Sequence, residues 1–259
     1  MKEVTVLKQT TGTILMVRPA SFGYNPETAG SNAFQKNISA ADIGSASKLA
    51  IEEFDRFAGD LRNAGIEVVI VEDTKDPPKP DAVFPNNWFS THILYDGRGL
   101  IFIYPMMSLL RKGEVRYDVI NMLAEKYSYG IEDLSKSAGV LEGTGSIVFD
   151  HVNKRAFAAL SPRTQRALLN DVCGMLGYEP VLFTAVDKKL QEVYHTNVVL
   201  TIGETFAVVC TEMINDGRER ARVVELLSAG GREVIGISEE QVNCFAGNML
   251  QLNDKEGVK

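Results

Sequence analysis

Cysteine is scarce in this chain of 259 residues, which contains three: Cys173, Cys210 and Cys244. Three cysteines cannot all pair with one another, and no spacing typical of metal ligands links them. A disulfide-rich secreted scaffold is therefore excluded, and free thiols in a reducing cytoplasm are expected. The chain also lacks the apolar stretch of a signal peptide and any apolar run long enough to span a membrane. We predict a cytoplasmic protein with no membrane partner.

Positive charge is in short supply as well. The chain has 27 Lys and Arg against 34 Asp and Glu, which gives a formal net charge of −7. An acidic protein repels phosphate backbones, so nucleic acid is not expected as a partner. Residues 143–145 are too short a glycine turn to hold a nucleotide, and we predict neither a cofactor nor a metal. A small molecule is the expected partner, and a homo-oligomer is left open.

What the chain does have is a repeated order of short elements. A hairpin, a helix and a strand are predicted over residues 145–183, and the same order recurs over residues 196–235. A hairpin followed by a helix is predicted over residues 92–127. An interval of roughly 50 residues is typical of repeat architectures. The order favours a closed ring of modules over a Rossmann sheet, so we predict one α/β domain over residues 1–259. Another hairpin begins at residues 248–252, and because a ring covers its edges with its last module, we expect the chain to be cut inside that module.

Polar side chains are concentrated in a proline-bounded segment, residues 80–92. It holds Asp81, Asn86, Asn87 and the single tryptophan of the chain. One interpretation is an ordered loop in which asparagine side chains cap turns. The other is a binding loop, because functional loops concentrate polar and aromatic residues. The density of the cluster favours the second.

Two further segments carry groups suited to acid–base chemistry. Glu142 lies just before an apolar strand, next to two glycines that let the backbone approach a ligand, although a turn with a solvated glutamate explains it equally well. His195 is predicted to open a buried strand over residues 196–202, and a lone histidine is more often structural than catalytic. His92 competes with it because it adjoins the asparagine cluster, whereas His151 is predicted to be exposed in a turn.

An arginine at a predicted strand-to-helix junction is the last candidate. Arg163 follows Pro162, which suits the first turn of a helix predicted over residues 163–176. That context supports a purely structural role. An arginine at such a junction can also clamp a carboxylate through two parallel hydrogen bonds.

Taken together in this order, these segments resemble the amidinotransferase superfamily. Its members include arginine deiminases, dimethylarginine dimethylaminohydrolases, glycine amidinotransferases and a citrulline-hydrolase branch. The resemblance covers essentially the whole chain and is closest to the citrulline-hydrolase branch. It implies a five-bladed αβ-propeller, the pentein fold, with the last module incomplete. The segments that carry it are residues 84–88, 141–146, 160–164, 194–198 and 245–250.

The resemblance also implies a mechanism and a set of site residues. In this superfamily a cysteine thiolate attacks the central carbon of a guanidino or ureido group, a histidine moves the proton to the leaving amine, and a carboxylate orients the histidine. Carried over, the histidine is His195 and the carboxylate is Glu142. The substrate-binding residues are Asp81, Asn86, Asn87, Arg163 and, as an assistant, Arg111.

Two departures from the family pattern matter. Relatives that bind a guanidinium cation have acidic residues near the positions of Asn86 and Asn87, whereas neutral amides suit a neutral ureido group, so a citrulline-like substrate is expected. The nucleophilic cysteine is expected beyond the present C-terminus, in which case this chain alone is inactive, and Cys244 is the remaining candidate within it. The alternatives are an arginine- or dimethylarginine-acting hydrolase, an amidinotransferase, or a non-catalytic ligand-binding relative.

Overall fold

The computed structural model describes residues 6–30, residue 35 and residues 43–254. Strands and helices alternate along the chain in short elements. The strands are β1 (Thr13–Arg18), β2 (Glu67–Glu72), β3 (Phe89–Ile93), β4 (Gly99–Ile103), β5 (Tyr129–Asp133), β6 (Val148–Asp150), β7 (Arg155–Ala159), β8 (Glu179–Phe183), β9 (Leu200–Ile202), β10 (Phe206–Val209) and β11 (Glu233–Gly236).

The helices are mostly short. They are α1 (Ile43–Asn63), α2 (Leu109–Lys112), α3 (Tyr117–Tyr127), α4 (Gly143–Ser146), α5 (Arg166–Leu176), α6 (Gly217–Leu227) and α7 (Glu239–Val242), with 3-10 turns at Pro85–Asn87, Thr196–Val198 and Thr211–Met213. Among the described residues, no helix has both the length and the apolar character needed to cross a membrane.

The strands of the described residues form four small sheets, and three of them share one topology. In each of these three, an antiparallel hairpin (β3–β4, β6–β7 or β9–β10) is extended by a parallel strand (β5, β8 or β11) that follows a helix. The fourth sheet has β1 and β2 in parallel, connected through α1. The predicted hairpin–helix–strand repeat is therefore present.

The core lies between the sheets and their helices. In α5, Leu168, Leu169, Val172 and Leu176 recur at helical spacing and are buried against β7. The helix ends at Gly177, whose φ of 70° is the left-handed conformation that glycine adopts without cost. Strand β7 is covered on both faces, which explains its short, apolar sequence.

Several predicted boundaries are wrong, and each difference has a local cause. The helix of the first hairpin unit begins at Tyr117, because residues 108–114 form a separate turn around α2. Likewise α5 begins at Arg166, because residues 161–164 close a turn through Thr164 N–H and the Ser161 carbonyl at 3.0 Å. Residues 248–252 do not form the predicted strand. They contact Thr201 instead, and Leu252 forms a single bridge with Thr11.

Candidate active site

The three-strand sheets and the β1–β2 sheet surround a large cavity of about 1140 Å³. Most of the predicted site residues lie on its wall. Those that do are Asp81, Asn86, Asn87, Arg111, Arg163 and His195. Glu142 does not itself line the cavity; it lies behind His195 and is 1% exposed.

His195 and Glu142 form a buried pair. Nε2 of His195 lies 2.7 Å from Oε2 of Glu142, although the residues are 53 positions apart. His195 does not open a strand as predicted, because it precedes the 3-10 turn Thr196–Val198 and β9 begins only at Leu200. The Thr196 hydroxyl donates to the Ser146 carbonyl at 2.6 Å and accepts from Ala159 N–H at 2.8 Å, which fixes this turn against α4 and β7.

Backbone and side-chain groups hold Glu142 at the start of α4. Its Oε1 accepts from Met107 N–H at 3.1 Å, and Nη1 of Arg163 lies 3.5 Å from Oε2. The Ser146 hydroxyl accepts from Glu142 N–H at 2.9 Å and donates to the Arg163 carbonyl at 2.7 Å. The carboxylate is thus oriented from both sides, with Oε2 directed at His195.

The electrostatics favour an ionised glutamate beside a neutral histidine. Burial raises the pKa of Glu142, but its hydrogen bond to His195, the charge that His195 carries when protonated, and the charges of Arg163 and Arg111 outweigh burial and lower the pKa to about 2. Burial lowers the pKa of His195, and Glu142 only partly offsets that effect. The neutral imidazole therefore donates Nε2–H to Glu142 and keeps a lone pair on Nδ1, the arrangement of a general base.

Asp81 lies at another part of the cavity and is oriented by the segment that precedes α1. Nδ2 of Asn25 donates to Oδ2 of Asp81 at 2.7 Å, and Asn25 is fully buried. Nε of Arg111 lies 3.9 Å from the same oxygen. Among the described residues, the carboxylate therefore has one close partner and one weaker one, and its other oxygen is an acceptor suited to a ligand.

Arg111 is buried between a carboxylate and an amide. Its Nε and Nη2 each donate to Glu114 at 2.9 Å. Burial lowers the pKa of Arg111, but the negative charges of Glu114, Asp81 and Glu142 raise it by more than burial lowers it. The guanidinium therefore stays charged. Burial raises the pKa of Glu114 to about 7 against the pull of Arg111. Because Glu114 accepts two short hydrogen bonds from a permanent cation, we take the Arg111–Glu114 pair as ionised at neutral pH.

Arg163 is 2% exposed, and its guanidinium lies 4.8 Å from the centre of the Tyr194 ring. Its place in the turn 161–164, rather than in a helix, directs the side chain to the cavity wall. The aromatic face and Glu142 restrict the guanidinium to one region. Such a preorganised cation suits the carboxylate of a small ligand.

The three cysteines of the chain do not line the cavity. Cys173 and Cys210 are buried, and burial raises the pKa of Cys173 to about 12 and also raises that of Cys210. Both thiols therefore stay protonated and unreactive. Cys244 is exposed after α7, although its neighbour Phe245 reaches the cavity. Its role as nucleophile stays a prediction.

The competing histidine belongs to a separate buried cluster. Nε2 of His92 lies 2.7 Å from the Ser90 hydroxyl, which in turn lies 2.7 Å from that of Tyr104. His151 is partly buried, not exposed as predicted, because its Nδ1 meets the Tyr178 hydroxyl at 2.9 Å. Burial lowers the pKa of His92 to about 3 and that of His151 to about 4. Among the described residues, the ring partners of these two histidines are hydroxyl groups, whereas the ring of His195 has a carboxylate partner.

This cluster predicts acid sensitivity. Because both pKa values lie below the usual ~6.5, the unfolded chain binds protons that the folded chain does not, and the free energy of unfolding falls as the pH drops below about 6.5. For the buried His92 the slope approaches about 1.4 kcal/mol per pH unit, and the partly exposed His151 adds less. Urea unfolding between pH 6.5 and 4.5 measures the slope above the range in which Glu142 contributes.

The variant His92→Gln removes one titrating group, so its free energy of unfolding should depend less steeply on pH over that interval. Part of the slope should remain, because burial also lowers the pKa of His195. His151→Gln is the matched control, with a smaller reduction in slope. Equal slopes in the natural protein and both variants would contradict this account.

Two buried site residues were not anticipated from the sequence. Asn25 orients Asp81 from 56 positions away, a contact that no local pattern signals. Glu114 was expected inside a helix, yet the spacing of Arg111 and Glu114, three residues apart, is the spacing of an ion pair within one turn. That signal was present in the sequence.

A family model described as "N,N dimethylarginine dimethylhydrolase, eukaryotic" matches residues 18–259. A search of curated protein sequences found no match. Among solved structures, the chain resembles the N-terminal domain of ArgZ, an arginine dihydrolase of cyanobacteria, in a cysteine-to-serine variant bound to substrate, with a TM-score of 0.69 and 20% identity over 94% of this chain and 81% of that one.

Two other structures show the same fold. The apo structure of ArgZ gives a TM-score of 0.65 and 18% identity over 93% of this chain, which spans 32% of the ArgZ chain. A dimethylarginine dimethylaminohydrolase, in a histidine-to-glycine variant with an S-methyl-L-thiocitrulline adduct, gives 0.64 and 16% identity over 95% of this chain and 82% of that one. The predicted α/β fold class is confirmed, and the arrangement of small sheets is consistent with the pentein propeller.

Proposed function

The chain belongs to the N,N dimethylarginine dimethylhydrolase family, and from this premise we propose that it is a hydrolase acting on the C–N bonds of a ureido or guanidino group in a free amino acid. The observation that carries the proposal is the buried His195–Glu142 pair, with 2.7 Å between Nε2 and Oε2, behind a cavity wall that also presents Asp81 and Arg163. A base oriented by a carboxylate, beside groups for both ends of an amino acid, is an arrangement that this chemistry requires.

The mechanism is covalent. Nδ1 of His195 takes the proton of a cysteine thiol, and the thiolate attacks the central carbon of the ureido or guanidino group. As the C–N bond breaks, the imidazolium returns that proton to the leaving amine, and Glu142 stabilises the transient positive charge. Water, deprotonated by His195, then attacks the carbon–sulfur adduct, and the thiol is released with its proton.

Within residues 1–259, no cysteine is placed on the cavity wall to act as the nucleophile of this mechanism. The three cysteines of the chain do not line the cavity, and the two buried thiols have raised pKa values. The ArgZ domain that was captured with its substrate is a cysteine-to-serine variant, which agrees with a cysteine nucleophile in similar proteins.

The substrate is a citrulline-like amino acid. A buried guanidinium cation needs a paired negative charge, and the two amides of Asn86 and Asn87 supply none. Amides both donate and accept hydrogen bonds, which suits the neutral ureido group. Arg163 holds the α-carboxylate at the other end. We assign Arg111 no direct contact with that carboxylate, because its hydrogen bonds go to protein groups.

Ammonia release from L-citrulline and L-arginine, measured with the protein from its natural source, tests the proposal. Citrulline should be the faster substrate, and faster release from arginine would show the citrulline assignment to be wrong. The intact mass of the same preparation locates the nucleophile. A mass above 28.5 kDa directs the search to an added segment, and an equal mass directs it to Cys244.

A guanidino substrate is the second candidate, favoured by the comparisons. ArgZ is an arginine dihydrolase, and the family model carries the name of a dimethylarginine-acting enzyme. The carboxylate of Asp81, which retains acceptor capacity, would then pair with the guanidinium. Ammonia release from arginine and dimethylamine release from dimethylarginine, each compared with ammonia release from citrulline, separate the two candidates.

The variant Cys244→Ser should change kcat less than about twofold, because a surface thiol without an activating partner is not a nucleophile. Steady-state kinetics of the natural-source protein and this variant measure the effect. A loss on the order of a hundredfold or more would identify Cys244 as the nucleophile instead.

A further inference from the structure

Glu114 is a buried carboxylate that the mechanism above does not use. It is 3% exposed and lies just after α2, beside the cavity wall. Burying a salt bridge costs desolvation that its own attraction barely repays, so a buried pair at a site invites a functional explanation. Its two hydrogen bonds to Nε and Nη2 of Arg111, both 2.9 Å, take up one edge of the guanidinium fork.

The rest of the guanidinium determines how the Asn87 amide is oriented. In one orientation the amide oxygen would accept from Nδ2 of Asn86 at 3.3 Å, and the amide nitrogen would face Arg111. In the reverse orientation the oxygen accepts from Nη1 and Nη2 of Arg111 at 2.8 and 3.1 Å. A guanidinium has donors only, so the second orientation is the stable one.

The NH₂ end of the amide therefore points away from Arg111. It lies 3.3 Å from the side-chain nitrogen of Asn86 and borders the space beside His195. A Cβ placed on Gly145 would lie closer than 3.0 Å to this end of Asn87 and 2.9 Å from Nδ1 of His195. The amide nitrogen and the imidazole thus border the same small space. Asn87 is buried, so bulk water cannot replace a hydrogen bond that a ligand fails to make with its amide.

We propose that Glu114 sets the substrate preference of this site by holding Arg111, which turns the NH₂ group of Asn87 toward the substrate. The inference rests on the proposed function, because it assumes that the ureido or guanidino group occupies the space beside His195. A fixed donor favours the carbonyl oxygen of a ureido group. A guanidinium offers only N–H groups at that position. An N–H group of the substrate would then face the NH₂ group of Asn87, and neither buried donor would have an acceptor. Glu114 is a positioning residue in this scheme, and Asn87 determines specificity.

Two variants test the proposal in the natural-source protein through the ratio of kcat/KM for L-citrulline to that for L-arginine. Asn87→Asp replaces the donor with a carboxylate oxygen, so the ratio should fall by about a hundredfold, within the range for a reversed hydrogen-bond partner in a buried site. Glu114→Gln loosens Arg111 and lets the amide rotate, so the ratio should fall by about tenfold, the effect of one weakened hydrogen bond. Glu125→Gln, the same change at an exposed position of α3, is the control and should leave the ratio unchanged.

The ratio of the two kcat/KM values distinguishes a positioning role of Glu114 from a purely structural one, because loss of structure would lower both values together. Equal losses on both substrates, with an unchanged ratio in either variant, would overturn the proposal. If Glu114→Gln fails to fold, Glu114→Asp, which shortens the side chain by one methylene and weakens its hold on Arg111, tests the positioning role in its place, and the ratio should fall in the same direction. If the natural protein prefers arginine, the citrulline assignment is wrong. The inference about Glu114 and Asn87 is tested separately, by the change in the citrulline-to-arginine ratio, and it requires Asn87→Asp to shift that ratio toward arginine.

Discussion

Replacing His195 with alanine is expected to lower kcat on the preferred substrate by about 10²–10⁴-fold, the usual contribution of a general acid–base residue. KM should change little, because the imidazole acts on the thiol and the leaving amine rather than on the parts of the substrate that give affinity. The expectation follows from the pairing of Nε2 with Glu142 at 2.7 Å, which leaves Nδ1 for proton transfer. Steady-state kinetics of the natural-source protein measure both constants.

Glu142→Gln in the same assay probes the pairing itself. The glutamine can present an NH₂ group to Nε2, which forces the proton of the neutral imidazole onto Nδ1 and removes the base. We expect a loss of about 10²-fold or more, with little change in substrate affinity.

His92→Gln is the control for both variants, because His92 belongs to the Ser90–Tyr104 cluster and should retain activity within a few-fold when the protein is folded. Circular dichroism verifies folding at the assay temperature. If His92→Gln abolished activity while His195→Ala retained it, the assignment of the catalytic histidine would be reversed.

The sequence predicts the types of the site residues better than it predicts their geometry. The order of hairpins and helices gives the α/β class, because alternating apolar runs and helical spacing are local properties. Contact between His195 and Glu142 is not a local property. The two residues are 53 positions apart, and only the resemblance to a family placed them together.

Two element boundaries predicted from the sequence are wrong because contacts of particular side chains determine them. The apolar residues within 196–202 predict a single strand, but the hydrogen bonds of Thr196 with Ser146 and Ala159, both in the preceding module, fold its start into a 3-10 turn. Residues 114–127 have continuous helical propensity, but the ion pair of Glu114 with Arg111 holds the first residues outside the helix. In the first case tertiary contacts override the local preference, and in the second an ion pair within one turn does. Both changes position a site residue.

Glycine at position 145 shows how tightly the site is packed. A methyl group there would lie closer than 3.0 Å to the Asn87 amide and 2.9 Å from Nδ1 and Cε1 of His195, distances that real Cβ atoms essentially never show. The backbone around Gly145 is tied to Glu142, since Gly145 N–H donates to the Glu142 carbonyl at 3.0 Å. The methyl group therefore cannot withdraw, and the imidazole and the amide must move.

Gly145→Ala is therefore expected to lower kcat/KM by about 10²-fold or more, since a displacement on the order of 1 Å in a catalytic group has that cost. Destabilisation should be about 1–3 kcal/mol, the usual cost of overpacking a buried site. Both kcat and KM should change, because one methyl group displaces the base and a substrate-binding amide together. Kinetics and urea unfolding of the same preparation measure the two effects.

Gly174→Ala is the matched control, because it adds the same methyl group at a glycine in α5 with open space around its Cβ position. Alanine is the better helix former, so this variant should be more stable by about 1 kcal/mol and fully active. A Gly145→Ala protein with normal kinetics would mean that His195 and Asn87 can shift without loss, which contradicts a catalytic role for their present positions. If Gly145→Ala lowers activity and stability while Gly174→Ala raises stability and keeps full activity, activity depends on the space between the His195 imidazole and the Asn87 amide.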